Sequence, residues 1–169
     1  MDGNSEQFSL IYDRYIEKIY RFVYLKVSSQ EIAEDITSKV FLNGWKSYQK
    51  DPGKVKNEGA FLYQIARNIV TDYYRERGRT KLISTDFVPQ IADTRTGLHE
   101  KAIINSDIDM VKSAMQNLKK DYQDILIWHY LEEMPVAEIA EILNKPAGTI
   151  RVMIHRGLKA LRDELSQET

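Results

Sequence analysis

From Phe8 to Val27 apolar side chains recur at Phe8, Ile11, Tyr12, Tyr15, Ile16, Ile19, Tyr20, Val23 and Val27. Steps of three and four residues gather them on one face of a helix. Ser28 and Ser29 interrupt the pattern, and Ser29 stands where the N-cap of a second helix belongs. That helix carries Ile32, Ile36, Val40, Phe41 and Trp45, with Glu31, Glu34 and Asp35 near its start, where negative charge complements the helix dipole. Lys46 to Gly59 contains Asp51-Pro52-Gly53, a turn signal, and is predicted to be a loop. A third helix follows on Phe61, Leu62, Ile65, Ala66, Ile69, Val70 and Tyr73, and closes in the basic run Arg75, Arg77, Arg79 and Lys81.

Periodicity weakens from Ser84 to Ser106, where Pro89, Gly97 and several Thr and Asp intervene. A patternless stretch of about two dozen residues is long for a connection inside one compact domain. Helical order returns with a stripe of Ile108, Val111, Met115 and Leu118, then a second of Tyr122, Ile125, Leu126 and Leu131. With only 8 Gly and 4 Pro in 169 residues, strand-and-turn architectures are disfavoured. The pattern predicts an all-α chain of two small helical domains, residues 1–82 and 107–169, joined by a flexible linker at 83–106.

The sharpest local signal is the run from Pro135 to Arg151. Pro135 is tolerated in a first helical turn, where its missing N–H has no partner to lose. Ile139, Ala140 and Leu143 are the expected buried face, Asn144 a left-handed terminator and Pro146 the start of the next helix. Two short helices across a tight turn make a helix-turn-helix. In its second helix Ile150, Ile154, Leu158, Leu161 and Leu165 form the inward stripe, while Arg151, His155, Arg156, Lys159 and Arg162 fall on other faces. Lys145, Arg151, Arg156, Lys159 and Arg162 give this stretch five cations and no acid, the local field that a phosphate-lined groove requires. Gly148 lets the helix start approach a DNA backbone closely.

Composition adds mainly exclusions. Lys+Arg is 24 against Asp+Glu 25, a net charge of -1, so no global field draws the chain to nucleic acid. Hydrophobic residues at 43% and charged ones at 29% argue against disorder. The absence of Cys excludes disulfides, Cys-type zinc sites and thiol catalysis. No apolar run reaches the roughly 18 residues that span a bilayer, and the polar start MDGNSEQ is no signal peptide; a protein kept inside the cell is expected. His99, His129 and His155 are too dispersed to define a metal site. Glu34-Asp35 and Glu132-Glu133 are adjacent pairs that diverge by about 100 degrees on a helix, so neither shares a face. No nucleotide loop or Ser/His/Asp arrangement appears, and neither catalysis nor a cofactor is expected.

The third helix offers a second constellation: Arg67, Asn68, Asp72, Tyr73, Tyr74, Arg75, Arg77 and Arg79. Aromatic planes beside cations suit a single-stranded nucleic acid. The same spacing also fits a Tyr73 that closes the core among solvated arginines.

Tyr20-Arg21-Phe22, Ala33-Glu34-Asp35-Ile36-Thr37 with Val40-Phe41 and Trp45, Ile65-Ala66-Arg67-Asn68 with Asp72, Glu138-Ile139-Ala140, and Gly148-Thr149-Ile150-Arg151 with His155-Arg156 occur in an order and spacing that matter together. On them, nearly the whole chain resembles a bacterial RNA polymerase sigma factor of the extracytoplasmic-function type, with regions 2 and 4 only. The resemblance implies that Glu34, Asp35, Ile36, Val40 and Phe41 dock on core RNA polymerase, at the clamp helices of its largest subunit. It implies that Arg67, Asn68, Asp72, Tyr73 and Arg75, with the Lys46–Gly59 loop, recognise and open the promoter -10 element. Gly148, Thr149, Arg151, Val152, His155, Arg156 and Lys159 would face the -35 duplex, Val152 and Met153 standing where many relatives carry Ser and Arg. Glu133 stands where Gly is frequent. The resemblance further implies promoter DNA in duplex and single-stranded form as partner, a sequestering anti-sigma factor, a bacterial cytoplasmic location, no covalent chemistry and no membrane insertion. The residues by themselves leave open a stand-alone helix-turn-helix transcriptional regulator that binds its duplex without polymerase.

Overall fold

The computed structural model describes residues 3–80 and 109–167, and all regular structure among them is helical. The chain divides into two compact units, Met1–Ile91 and Ala92–Thr169; the expected linker at 83–106 lies outside the described residues. The first unit is built from α1 (Gly3–Val27), α2 (Gln30–Lys50) and α3 (Glu58–Thr80), each packed on the other two. Ser28 ends α1 in a left-handed conformation, φ 57, its N–H donating to the Tyr24 carbonyl at 2.8 Å. Ser29 is extended, and its Oγ accepts from the Ile32 N–H at 3.3 Å, which makes it the N-cap that its position predicts.

Ile19, Phe22, Val23, Val40 and Leu62 are fully buried and form the centre of this unit. Phe22 lies outside the predicted stripe, whereas Tyr12 inside it is 43% exposed. The Phe22 ring meets Tyr63 edge-on at 5.5 Å, while Tyr12 covers the rim through an edge contact with Phe41 at 4.8 Å. Gly44 sits where α2 passes close to α3: a Cβ there would lie 3.3 Å from Leu62 Cδ2 and 3.5 Å from Phe8 Cζ.

The loop expected over Lys46–Gly59 is shorter. α2 continues to Lys50 because Tyr48 is buried, its ring 5.6 Å from that of Phe8 and its hydroxyl donating to Gln7 Oε1 at 2.8 Å. Burying that ring rewards one more helical turn. The connection contains a single 3-10 turn, Pro52–Lys54, and Asn57 Oδ1 accepts from the Ala60 N–H at 3.0 Å to cap α3.

In the second unit α4 (109–116) precedes α5 (Lys120–Leu126), which runs directly into a π-helical turn, Ile127–Leu131. α6 (Val136–Leu143) and α7 (Ala147–Gln167) complete it. The predicted α4 stripe is rotated: Val111 is 44% exposed, Ala114 and Leu118 are buried, and Ile108 lies outside the described residues. Leu131, expected in the second stripe, is 62% exposed. The π-turn explains it. The Glu132 N–H donates five residues back to the Ile127 carbonyl at 3.1 Å, which widens the helix, carries Tyr130 and Leu131 outward and leaves Trp128 fully buried.

Between the π-turn and α6 the backbone must reverse while Met134 is held in the core, its N–H donating to the Trp128 carbonyl at 2.9 Å. Glu133 makes that reversal at φ 52, a conformation that costs an L residue with a long side chain roughly 1 kcal/mol but glycine almost nothing. Glu133→Gly is therefore expected to raise the free energy of unfolding by about 1 kcal/mol, read as a higher urea midpoint; a lower midpoint would contradict this account of the turn.

Candidate nucleic-acid interface

Pro135 does not enter α6 but precedes it as the capping residue (φ -62, ψ 150), with Val136 the first helical position. Asn144 terminates the helix left-handed at φ 54, ψ 50, and its N–H donates to the Ala140 carbonyl, as its residue type predicts. Pro146 likewise stands just before α7, its carbonyl accepting from the Ile150 N–H at 3.1 Å. The buried face of α6 is Ile139 and Ile142, with Ala140 and Leu143 only half-buried. Apolar spacing alone places that face a residue or so away, because an eight-residue helix offers too few turns to fix its phase.

α7 is the longer arm. Ile150, Ile154 and Gly157 are buried, while Leu158, Leu161 and Leu165 are half-buried. Gly157 escaped the apolar count, having no side chain, yet it marks the crossing with α5: a Cβ there would lie 3.5 Å from Tyr122 Cβ and 3.6 Å from Leu126. On the opposite side Gly148, Thr149, Arg151, Val152, His155, Arg156 and Lys159 are all exposed. None of Arg151, His155, Arg156 or Lys159 forms an ion pair or side-chain hydrogen bond among the described residues. Val152 is 47% exposed and Met153 half-buried, so of the two departures from the family pattern only Val152 shares the cationic face.

On α3, Asn68, Asp72 and Arg75 form an exposed outer row, with Asp72 Oδ1 3.7 Å from Arg75 Nη1. Arg67 and Tyr73 are half-buried. Tyr73 does not close the core; Val70 does. The Tyr73 hydroxyl accepts from Arg77 Nη1 at 3.2 Å, and its ring meets Tyr74 edge-on at 5.2 Å. Tyr74 ties α3 to the end of α1, donating its hydroxyl to the Lys26 carbonyl. Burial, then the neighbouring Tyr73, hold the Tyr74 phenol above its ordinary range, which keeps the donated proton in place.

The acidic segment of α2 divides. Ile36, Val40 and Phe41, expected to meet a protein partner, are 3%, 0% and 5% exposed and belong to the core. Their i, i+4 spacing is that of the buried stripe itself. The outward face holds Glu34, which accepts from Gln30 Nε2 at 3.1 Å, and Asp35, paired with Lys39 at 3.1 Å. It also holds Ser38 and Leu42, the latter 52% exposed and unmarked in the sequence because it lies off the stripe. Among the described residues no helix is long and apolar enough to cross a membrane, and no group of three His, Cys, Asp or Glu could hold a metal ion.

Two compact helical units, one carrying a helix-turn-helix with an acid-free cationic face, define a DNA-binding protein. Comparison with known proteins identifies its kind. Residues 11–80 match the family model described as Sigma-70 region 2, and residues 108–161 that described as Sigma-70, region 4. The chain belongs to the sigma-70 family of RNA polymerase sigma factors, in its extracytoplasmic-function branch. It is 27% identical over 172 residues to the extracytoplasmic-function (ECF) RNA polymerase sigma factor SigW of Bacillus subtilis, covering 96% of this chain and 91% of that one. It is 24% identical over 159 residues to ECF RNA polymerase sigma factor BldN of Streptomyces coelicolor, covering 94% of this chain but only 60% of that one. The fold resembles that of the sigma factor RpoE solved with the anti-sigma factor NepR from Bartonella quintana. That match has a TM-score of 0.69 at 22% identity over 95% of this chain and 98% of the other.

The division of α2 has a measurable consequence. Phe41→Ala is expected to lower stability by about 3–5 kcal/mol, while Leu42→Ala stays within about 0.5 kcal/mol of the parent. Thermal melts followed by circular dichroism check both; equal effects would contradict the assignment of faces.

Proposed function

We propose that this chain binds core RNA polymerase and directs it to promoters, the second unit reading the -35 element as duplex and the first recognising and opening the -10 element. The observation that supports this best is the exposed face of α7. Its cations are unpaired among the described residues and lie opposite a buried stripe.

In a major groove Arg156 offers a bidentate fork to a guanine edge, or to a phosphate, while Arg151 and Lys159 hold backbone phosphates. His155 lies beside them, and Val152 suits the methyl group of thymine. Thr149 and the N–H groups at the start of α7 add neutral donors near a phosphate. On α3, Asn68, Asp72 and Arg75 supply polar contacts and the half-buried Tyr73 a stacking edge for a displaced strand. Unstacking a base costs a few kcal/mol, and base–aromatic stacking returns about 1–3 kcal/mol. Polymerase docking falls to the outer face of α2, Glu34, Asp35, Ser38 and Leu42, with Ile36, Val40 and Phe41 supporting it from beneath. Carrying both DNA-binding units on one chain raises the effective concentration of the second once the first is bound. The chain performs no covalent chemistry, works in the bacterial cytoplasm where polymerase is found, and is held in check by an anti-sigma factor.

Mixing the purified chain with core polymerase and promoter templates tests the reading. A stable complex and promoter-dependent transcripts are expected; binding to a specific duplex with indifference to polymerase would establish the stand-alone regulator instead. Arg156→Ala should weaken binding to -35 DNA by about 1–3 kcal/mol and leave polymerase affinity unchanged, measured by electrophoretic shift with and without core enzyme.

Gly148 separates folding from recognition. A Cβ there meets nothing within 4 Å, and no glycine in the described chain has positive φ. Gly148→Ala should therefore stabilise the unit by about 0.4–1 kcal/mol while weakening -35 binding. A melt and a DNA titration on one variant check both signs.

A further inference from the structure

The connection between α2 and α3 stands on α1 at both ends. At the near end Tyr48 of α2 lays its ring 5.6 Å from that of Phe8 and donates its hydroxyl to Gln7 Oε1 at 2.8 Å. At the far end Glu58, the first residue of α3, pairs with Arg14, and the next residue, Gly59, is buried against the Tyr15 ring. A Cβ on Gly59 would lie 3.2 Å from both Tyr15 Cε1 and Tyr15 Oη, closer than the two can sit without one of them shifting. Lys18 Nζ stands over the same ring at 5.6 Å from its centroid, a cation–π contact that adds to its fixed position. Arg14 and Tyr15 follow Gln7 and Phe8 by seven residues. That is two helical turns, so the two anchor points share a face of α1 about 10.5 Å apart.

Between those anchors the backbone turns on local bonds. The Lys54 N–H donates to the Asp51 carbonyl at 3.2 Å and the Val55 N–H to the Pro52 carbonyl at 3.3 Å, and Asn57 caps α3. Lys54 and Lys56 are exposed and form no ion pair among the described residues. Asp51 is the one acid in the 51–57 segment with them. Exposed cations on a short loop that runs straight into α3 suit the phosphates of a displaced strand whose bases reach Asn68, Asp72 and Tyr73. Such a loop holds a strand in one register when its ends are fixed, and fixing them in the fold spares the ordering cost at the moment of binding. The ends belong to α2 and α3, but the distance between them is set by α1.

We propose that Arg14 and Tyr15 of α1 are positioning residues for promoter opening. By clamping Glu58 and Gly59 they set the span of the 51–57 loop, and with it the placement of Lys54 and Lys56 against the displaced strand. Neither residue touches DNA. The inference rests on the reading of the first unit as the module that opens the -10 element, and it assigns that module two residues outside α3 and the loop. It also accounts for Gly59, whose missing side chain lets the ring and the loop end meet.

The measurement is the opening of promoter templates by core polymerase saturated with the full chain, read as permanganate reactivity of thymines in the -10 element. Polymerase affinity, -35 duplex binding and the thermal melt are followed beside it. Gly59→Ala should reduce opening about tenfold, within the range of coupling between residues in contact, while polymerase affinity and -35 binding stay at the parent's values. In a Tyr15→Leu background, where no ring meets the added methyl group, Gly59→Ala should reduce opening no further. Arg14→Ala should reduce opening about threefold, the worth of an exposed ion pair, and Arg14→Lys should keep the parent's value. Should Gly59→Ala melt earlier, the exposed Arg14→Ala and its lysine counterpart decide the matter. Parent-like opening in both Gly59→Ala and Arg14→Ala, or a loss of opening matched by an equal loss of polymerase affinity, overturns the clamp and leaves the sigma-factor reading intact. A parent chain that opens no template overturns both.

Discussion

Ile150 and Ile154 must leave water, and that requirement aims everything on the far side of α7. Each is buried with its helix packed against α5 and α6, a gain of about 1.5–3 kcal/mol per side chain. Rotating α7 by one residue would expose them and bury Arg151 or His155 in their place. Burying an unpaired charge costs more than any surface contact repays. The cationic face is thus held outward by the hydrophobic face, and no separate device is needed to orient it. The same logic governs α2, where Ile36, Val40 and Phe41 fix the core side and leave Glu34, Asp35 and Leu42 as the surface.

Charge is distributed to match. A chain of net charge -1 has little long-range attraction for DNA at large, which limits non-specific binding. Locally the signs separate: Arg151, Arg156, Lys159 and Arg162 follow one another on α7 without an intervening acid, while the early turns of α2 carry Glu31, Glu34 and Asp35 before the first cation at Lys39. Such a protein engages phosphates where a helix has been inserted and not where it merely drifts nearby. A weak global field suits a factor whose DNA contacts are completed in company with another protein, because neither unit by itself needs to hold DNA tightly.

The two-unit helical plan, the Ser29 cap, the Asn144 terminator and the outward row of α7 were all legible in the sequence, because each follows from local rules: apolar spacing, capping chemistry and left-handed tolerance. What was not legible depended on contacts distant in sequence. Tyr48 lengthens α2 because Phe8, forty residues earlier, receives its ring. The π-turn rotates Leu131 out and Trp128 in, and a count based on 3.6 residues per turn cannot anticipate a turn of a different size. The family pattern marks Ile36, Val40 and Phe41 as partner contacts, yet the positions on which a motif is matched include those that a fold needs, and such residues are buried by the same periodicity that makes them recognisable.

The glycines show how an internal demand can be told from an external one. Gly44 and Gly157 each face side chains of a neighbouring helix at 3.3–3.6 Å, so the packing of their own unit accounts for them. Gly148 faces nothing within 4 Å and adopts no backbone conformation that requires it. Helix propensity disfavours glycine at such a position, and nothing inside the unit compensates. The missing side chain therefore clears space on the outer surface, beside Thr149 and ahead of the unpaired Arg151. A partner that needs close approach to backbone N–H groups at a helix start, with cations flanking it, is a phosphate group.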